Sequence, residues 1–249
     1  YAFDKNPPQQ ESNTDVSQSA TLKHPIRQHA LWQPLFSSAK PTLIVIGDLF
    51  MLTEVDPQTD RLRAVREFGV NSNPQFEKYL DKYPDKRTKI NKASSAFLLK
   101  NSVFSLQHVL PLFNDDSPAI IRLASELTAT DLREYNIVYL GLYKSLGILD
   151  AYLQGSNFEV ETGYPSLKHK KSARVYSVTG DLEQEYTDYG SFAQFYGPSG
   201  NHFYIFAGFS DASVIQMAKY LTSKTRLSSD EFKQHFQSVG NTNGNFELI

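Results

Sequence analysis

Cysteine is absent from all 249 residues. Disulfides, thiol nucleophiles and thiolate metal sites are therefore excluded together. No apolar run approaches the roughly 20 residues that cross a bilayer as a helix, and the first residues lack the basic-then-apolar pattern of a signal peptide. Formal net charge is only −2, which argues against a strongly basic nucleic-acid surface. The dinucleotide G-x-G-x-x-G and the phosphate-loop pattern are missing. So is the nucleophile elbow G-x-S-x-G: Gly197-Pro198-Ser199-Gly200 lies between two strand patterns and reads as a hairpin turn. The histidines (His24, His29, His108, His169, His202 and His235) match no zinc spacing. Asp181, Glu183, Glu185 and Asp188 do not have the spacing of a calcium loop. Neither a metal nor a cofactor is expected, nor direct nucleic-acid binding.

What is present is a repeated grammar. Asn201 to Asp211 reads N-H-F-Y-I-F-A-G-F-S-D. Phe203 to Ala207 is apolar on both faces, as in a strand buried inside a sheet. Gly208 ends it. Ser210 and Asp211 then precede an amphipathic pattern on Val214, Ile215, Ala218 and Leu221, which is a helix N-cap signal. Similar units follow Leu43 to Ile46 (Gly47-Asp48), Ala119 to Ala124 (Ser125-Glu126) and Ile137 to Leu140 (Gly141, then Tyr143-Lys144-Ser145). Strands alternating with helices through the middle third predict parallel βαβ units. The Ser191–Tyr196 and Asn201–Ala207 pair predicts an antiparallel hairpin.

The expected fold is therefore α/β: three layers around a mixed, mainly parallel central sheet, with an antiparallel C-terminal extension. Hydrophobic residues make up 40% of the chain, enough for a full core. Residues 1 to 22 are polar and read as an arm or linker; residues 23 to 249 read as one domain. Within it, helical spacing is expected over His24 to Lys40, a hairpin over Phe50 to Val70, and a short helix after Asn71-Ser72-Asn73-Pro74. Lys82 to Lys92 reads as a charged loop. The longest helix is expected from Ser94-Ser95 to Phe113, and another over Tyr143 to Leu153. Tyr164 to Lys171 reads as a basic loop and Ala173 to Val178 as a strand. A last helix carries Phe232, Phe236 and Val239, Asn241 to Asn245 reads as a loop, and Phe246 to Ile249 as a final strand. Trp32, the single tryptophan, suits a packed core. Tyr186, Tyr189, Phe192, Phe195 and Tyr196 read as packing residues.

Open α/β sheets bind ligands at the rim formed by the carboxyl ends of their strands. That makes Gly47, Asp48, Ser125, Glu126, Gly141, Tyr143, Lys144, Gly208, Ser210 and Asp211 the candidate ligand-binding set, with His202 added because it opens the key strand. The competing reading is structural: glycine serves the turn, and Ser or Asp caps a helix. Tyr143-Lys144-Ser145 is no proton relay, because consecutive helical residues point in different directions.

Two segments carry a resemblance. One is Thr130-Asp131-Leu132-Arg133 ahead of Ile137-Val138-Tyr139-Leu140-Gly141 and Tyr143. The other is Asp188-Tyr189-Gly190, then Gly197-Pro198-Ser199-Gly200-Asn201, Ala207-Gly208 and Asp211. Together they resemble a poorly characterised group of bacterial α/β domains, over roughly residues 40 to 225. That group is similar to the C-terminal sensory part of proteins bearing a helix-turn-helix module or a membrane anchor. The resemblance implies a non-catalytic ligand-sensing or interaction domain of a larger regulatory protein, taking a small molecule at the sheet rim. It also implies a membrane anchor upstream of Tyr1 and an extracytoplasmic or membrane-associated setting ahead of a cytoplasmic one. It carries over no catalytic residue. The alternative is a hydrolase or transferase using Asp48, Glu126 and Asp211 in acid–base roles.

Overall fold

The computed structural model describes residues 24–114, 116–161, 165–181, 185–239 and 246–249. The expected polar arm, Tyr164, Glu183, the 241–245 loop and the side chain of Val239 lie outside the described residues.

Six strands form the central sheet: β1 (Thr42–Ile46), β2 (Ala119–Leu123), β3 (Asn136–Leu142), β4 (Gly190–Tyr196), β5 (His202–Gly208) and β6 (Phe246–Leu248), in the order β6-β4-β5-β3-β1-β2. Pairing is parallel from β5 through β3 and β1 to β2. It is antiparallel between β4 and each of its neighbours, β5 and β6. The fold is thus the expected α/β one, with the antiparallel part at the C-terminal end. The hairpin turn comes where Gly197-Pro198-Ser199-Gly200 predicts it, with Gly200 at φ +71°, a left-handed conformation that glycine adopts without steric cost.

Continuous apolar runs make this sheet because both of its faces are covered. On one face Ile44, Ile46, Val138, Leu140, Tyr204 and Phe206 pack in one core. Trp32 joins it, stacked on Tyr204 at 5.3 Å between ring centres and donating its indole N–H to the Leu221 carbonyl at 2.8 Å. Leu43, Val45, Ile137, Tyr139, Phe203 and Ile205 form the core of the opposite face. A third cluster, built on Phe50, Leu52, Phe76, Leu80 and Ile90, belongs to a lobe inserted between β1 and β2. That lobe joins a three-stranded sheet (Leu52–Val55, Leu62–Val65 and Ile90–Lys92) to helix α1 (Asn73–Lys82). Ser72 caps α1 by accepting from the Gln75 N–H.

Several elements differ from the sequence reading. The long helix expected from Ser94 is shorter: α2 spans Lys100–Val109, and Phe97–Leu98 is a strand pairing with Asp48–Leu49. Its fully buried residues are Asn101, Ser102, Ser105 and Val109; of the apolar stripe Leu106 packs half-buried on the core, while Val103 and Phe104 are exposed. Small side chains let α2 approach the sheet closely, and that approach outweighs periodicity. Tyr143 to Leu153 is not one helix but two 3-10 turns and a four-residue α-turn, interrupted at Gly147 with φ +58°. Pro25 and Pro34 each open a short helical turn in the 24–40 stretch instead of sitting inside one long helix. The charged loop supplies the strand Ile90–Lys92, and the basic loop supplies Ser166–His169, the middle of a three-stranded meander. A one-turn helix, Asp131–Glu134, precedes β3, and α3 (Asp211–Leu221) and α4 (Asp230–Val239), with Lys224–Leu227 between them, follow β5.

Candidate functional site

Parallel pairing brings the carboxyl ends of β5, β3, β1 and β2 to one rim in that order. Ile46 pairs with Leu140 and Leu123, and Gly208 pairs with Leu142. Gly47, Asp48, Ser125, Glu126, Tyr143, Lys144, Ser210 and Asp211 therefore share one end of the molecule. His202 does not. It opens β5 at the amino end, where its N–H donates to the Asn136 side chain at 2.9 Å. Seven residues of strand at about 3.3 Å each hold it about 20 Å from Gly208. Opening a strand and standing at its carboxyl end are opposite positions, so His202 leaves the rim set.

Gly141 also moves: it lies within β3, not in a turn after it. Tyr139, two residues earlier on the same face, folds over it and donates its hydroxyl to the Leu142 carbonyl at 2.6 Å. A Cβ on Gly141 would come within 2.5 Å of that hydroxyl and 2.8 Å of the Gly47 Cα. A Cβ on Gly47 would meet the same hydroxyl at 2.8 Å. Both glycines are bare because the Tyr139 ring occupies their space. Burial, with the nearby Asp48 carboxylate adding to it, pushes the Tyr139 phenol well above its ordinary value. Gly208 has a parallel explanation. It faces Gly190 across the β4–β5 pair, and a Cβ on either would run into Ser213. The two glycines let the first turn of α3 sit directly on the sheet.

The rim carboxylates are engaged as well. Asp48, only 6% exposed, accepts from the Ser125 N–H at 2.9 Å. Asp211 accepts from the Asn101 N–H at 3.0 Å, capping α2 from α3. Glu126 reaches back to the Leu123 N–H at 3.4 Å. Ser210 accepts from the Ala212 N–H at 3.2 Å and donates to Asp188. Asp188 also takes the Ser213 N–H at 3.2 Å. The crevice between β1 and β3 is closed from the α2 side, where the Ser102 hydroxyl donates to the Gly47 carbonyl at 2.9 Å. Further along, Tyr143 packs on Phe209 at 4.7 Å and donates to the Ser191 hydroxyl at 2.7 Å; burial raises its phenol strongly. Lys144 is exposed. Asp48, Ser125 and Glu126 share a cavity of about 90 Å³, well below the ~300–1,000 Å³ of small-molecule sites.

Open space lies at the flank of the same rim. A groove of about 760 Å³ runs beside α3, between the segment leading into β4 and the end of β6. Tyr186, Tyr189, Tyr220 and Met217 give it apolar surface, Lys219 and Arg226 line it with positive charge, and Asp188 and Glu231 line it with negative charge. The Arg226 guanidinium lies 5.9 Å from the Tyr220 ring centre. Among the described residues it has no carboxylate partner within ion-pair distance. None of the sequence candidates lines this groove; Asp188 and Ser213, which bond to the α3 cap residue Ser210, do. Tyr186 and Tyr189 read as packing residues in the sequence, and their proximity to Tyr220 exists only once β4, β6 and α3 are assembled.

Among the described residues, no three or more His, Asp and Glu side chains are grouped so as to hold a metal ion. No helix among them is long and apolar enough to cross a membrane. Comparison with protein-family models, curated proteins and solved structures finds no match for the chain.

Proposed function

We propose that this chain is a non-catalytic binding domain that takes a small molecule in the groove beside α3. The observation that carries the reading is a contrast in polar groups. The rim carboxylates Asp48, Glu126 and Asp211 accept backbone N–H bonds, whereas Lys219 and Arg226, with no carboxylate within ion-pair distance among the described residues, line a groove of ligand size together with three tyrosines and Glu231. Tyrosine faces favour a flat or apolar body, and an unpaired guanidinium favours an acidic group on it. The ligand class is therefore a small organic acid with an aromatic or aliphatic body.

The resemblance to sensory domains supports the wider reading: a module of a larger, membrane-anchored bacterial regulatory protein, in an extracytoplasmic or membrane-associated setting. The hydrolase or transferase alternative draws less support, because a carboxylate already capping backbone N–H groups is poorly placed to exchange protons with a substrate. A thermal-shift screen of organic acids tests the proposal. A hit whose stabilisation disappears in Arg226→Gln but persists in Lys144→Ala supports it. No hit, or a hit indifferent to Arg226, counts against it.

A further inference from the structure

The inserted lobe sorts its charges by face. On one side of α1, Glu77 and Asp81 both reach Arg87, at 3.3 Å and 2.5 Å. Opposite charges there are matched. On the adjacent side Lys78 and Lys82, one helical turn and about 6 Å apart along the axis, line a groove of about 540 Å³ together with Lys86. Among the described residues no carboxylate lies within ion-pair distance of any of these three lysines. The one acidic side chain lining the groove is Glu67.

Two tyrosines complete the wall. Lys86 donates to the Tyr79 hydroxyl at 2.6 Å, which raises the lysine's affinity for its proton and leaves the phenolic hydrogen free to donate outward. The Lys86 ammonium also lies 5.5 Å from the Tyr83 ring centre, and that of Lys82 lies 5.2 Å from the same ring. The rings hold the ammonium groups on one side of the groove without neutralising them. Behind them Arg66 is clamped by the Phe50 and Val70 carbonyls, at 3.2 Å and 2.6 Å, and by Asn71. These acceptors are neutral, and the carboxylate acting on the guanidinium is that of Glu67.

We propose that this groove binds a ligand carrying two or more linked phosphate groups, held by Lys78, Lys82 and Lys86 with the Tyr79 hydroxyl as a further donor. Three lysines along one groove, two of them a helical turn apart on α1, match several anionic centres along a chain better than one carboxylate does. Lysine is also a point-charge phosphate binder that needs no fixed fork geometry. The site lies in a different lobe from the α3 groove, so neither proposal depends on the other.

The test is calorimetric titration of the whole chain with inorganic triphosphate, a nucleoside triphosphate and orthophosphate, at low and at physiological salt. Triphosphate is expected to bind about tenfold or more tightly than orthophosphate, with affinity falling as salt rises. The triple variant Lys78→Gln, Lys82→Gln, Lys86→Gln should weaken triphosphate binding about tenfold or more, while Lys168→Gln, Lys170→Gln, Lys171→Gln, which removes equal charge elsewhere, should not. If the nucleoside triphosphate binds more tightly and Tyr83→Ala removes only that advantage, the ligand is a nucleotide. Equal affinity for both identifies the phosphate chain itself. Absence of binding, or equal weakening by both triple variants, overturns the proposal. All six lysines are at least partly exposed, and an unchanged unfolding midpoint shows that the variants are folded.

Discussion

The crevice between β1 and β3 and the groove beside α3 open on the same rim of the same sheet, but they use their polar groups differently. In the crevice every strand-end feature has a partner within the protein. Asp48 holds the Ser125 N–H, Ser102 holds the Gly47 carbonyl, and Tyr139 fills the space over Gly47 and Gly141. Along the α3 groove Asp188 is consumed in the same way, yet Lys219 and Arg226 have no carboxylate within ion-pair distance among the described residues, and Tyr186, Tyr189 and Tyr220 line open space beside them. A buried polar group is seldom left unsatisfied, and Asp48 and the Gly47 carbonyl meet that demand within the protein, although Asn101 Nδ2 and Ser105 Oγ on α2 have no partner among the described residues. The end of a sheet where ligands commonly sit is therefore not a site by position alone. What matters is which donors and acceptors are left after the fold has used its own.

That difference can be broken most forcefully at Gly141. Replacing it with alanine drives a methyl group against the Tyr139 hydroxyl and the Gly47 backbone, and should cost about 3 kcal/mol in denaturant unfolding. Combining it with Tyr139→Phe should recover part of the loss. A neutral Gly141→Ala would mean that the crevice has room, and the contrast would fail. Next in size, Asp48→Ala strands the Ser125 N–H and should cost about 2 kcal/mol by the same measurement. Lys144→Ala, at an exposed neighbouring position, should stay within about 0.5 kcal/mol.

Asp211→Ala removes the cap that α3 lends to α2, an effect of about 1 kcal/mol. Hydrogen exchange at the Asn101 amide should accelerate with it. Smaller still is a pH effect at His29, which packs against Phe232 and Phe236 at 5.7 Å and 5.9 Å. Its Nδ1 accepts from the Leu31 N–H at 3.1 Å. Burial lowers the imidazole below its ordinary 6.5, so the folded state prefers it neutral. Its contribution to stability is complete above 6.5. It is lost progressively as pH falls below that value and through the lowered one, and His29→Gln should flatten this slope in unfolding curves recorded from pH 7 to about pH 5. On the groove side, Arg226→Gln should leave stability within about 0.5 kcal/mol while abolishing ligand-induced stabilisation.

Much of the sheet was legible because its signal is local. Uninterrupted apolar runs such as Phe203 to Ala207 have few alternatives to a strand covered on both faces, and Ser210 ahead of α3 is a cap in any context. The rim set was legible for the same reason, since parallel strands carry their carboxyl ends to one side. The reading failed where a distant neighbour decides. Phe97 and Leu98 follow helical spacing yet pair with Asp48 and Leu49. Asn101, Ser102 and Ser105 are polar yet buried, because α2 must lie close to the rim. His202 is grouped with the rim in the sequence reading although it opens β5 at the opposite end.

Residue types and short-range order were thus determined by the sequence itself: a cysteine-free α/β chain, its buried strands, its caps and its hairpin. Long-range assembly alone decided which polar groups remain free. Whether a carboxylate meets a backbone N–H or a ligand depends on partners 77 residues away for Asp48 and 110 away for Asp211, and no local pattern encodes such a pairing. The same assembly brought Tyr186 and Tyr189 to Tyr220 and Arg226, where open space remains between elements that the chain order keeps apart.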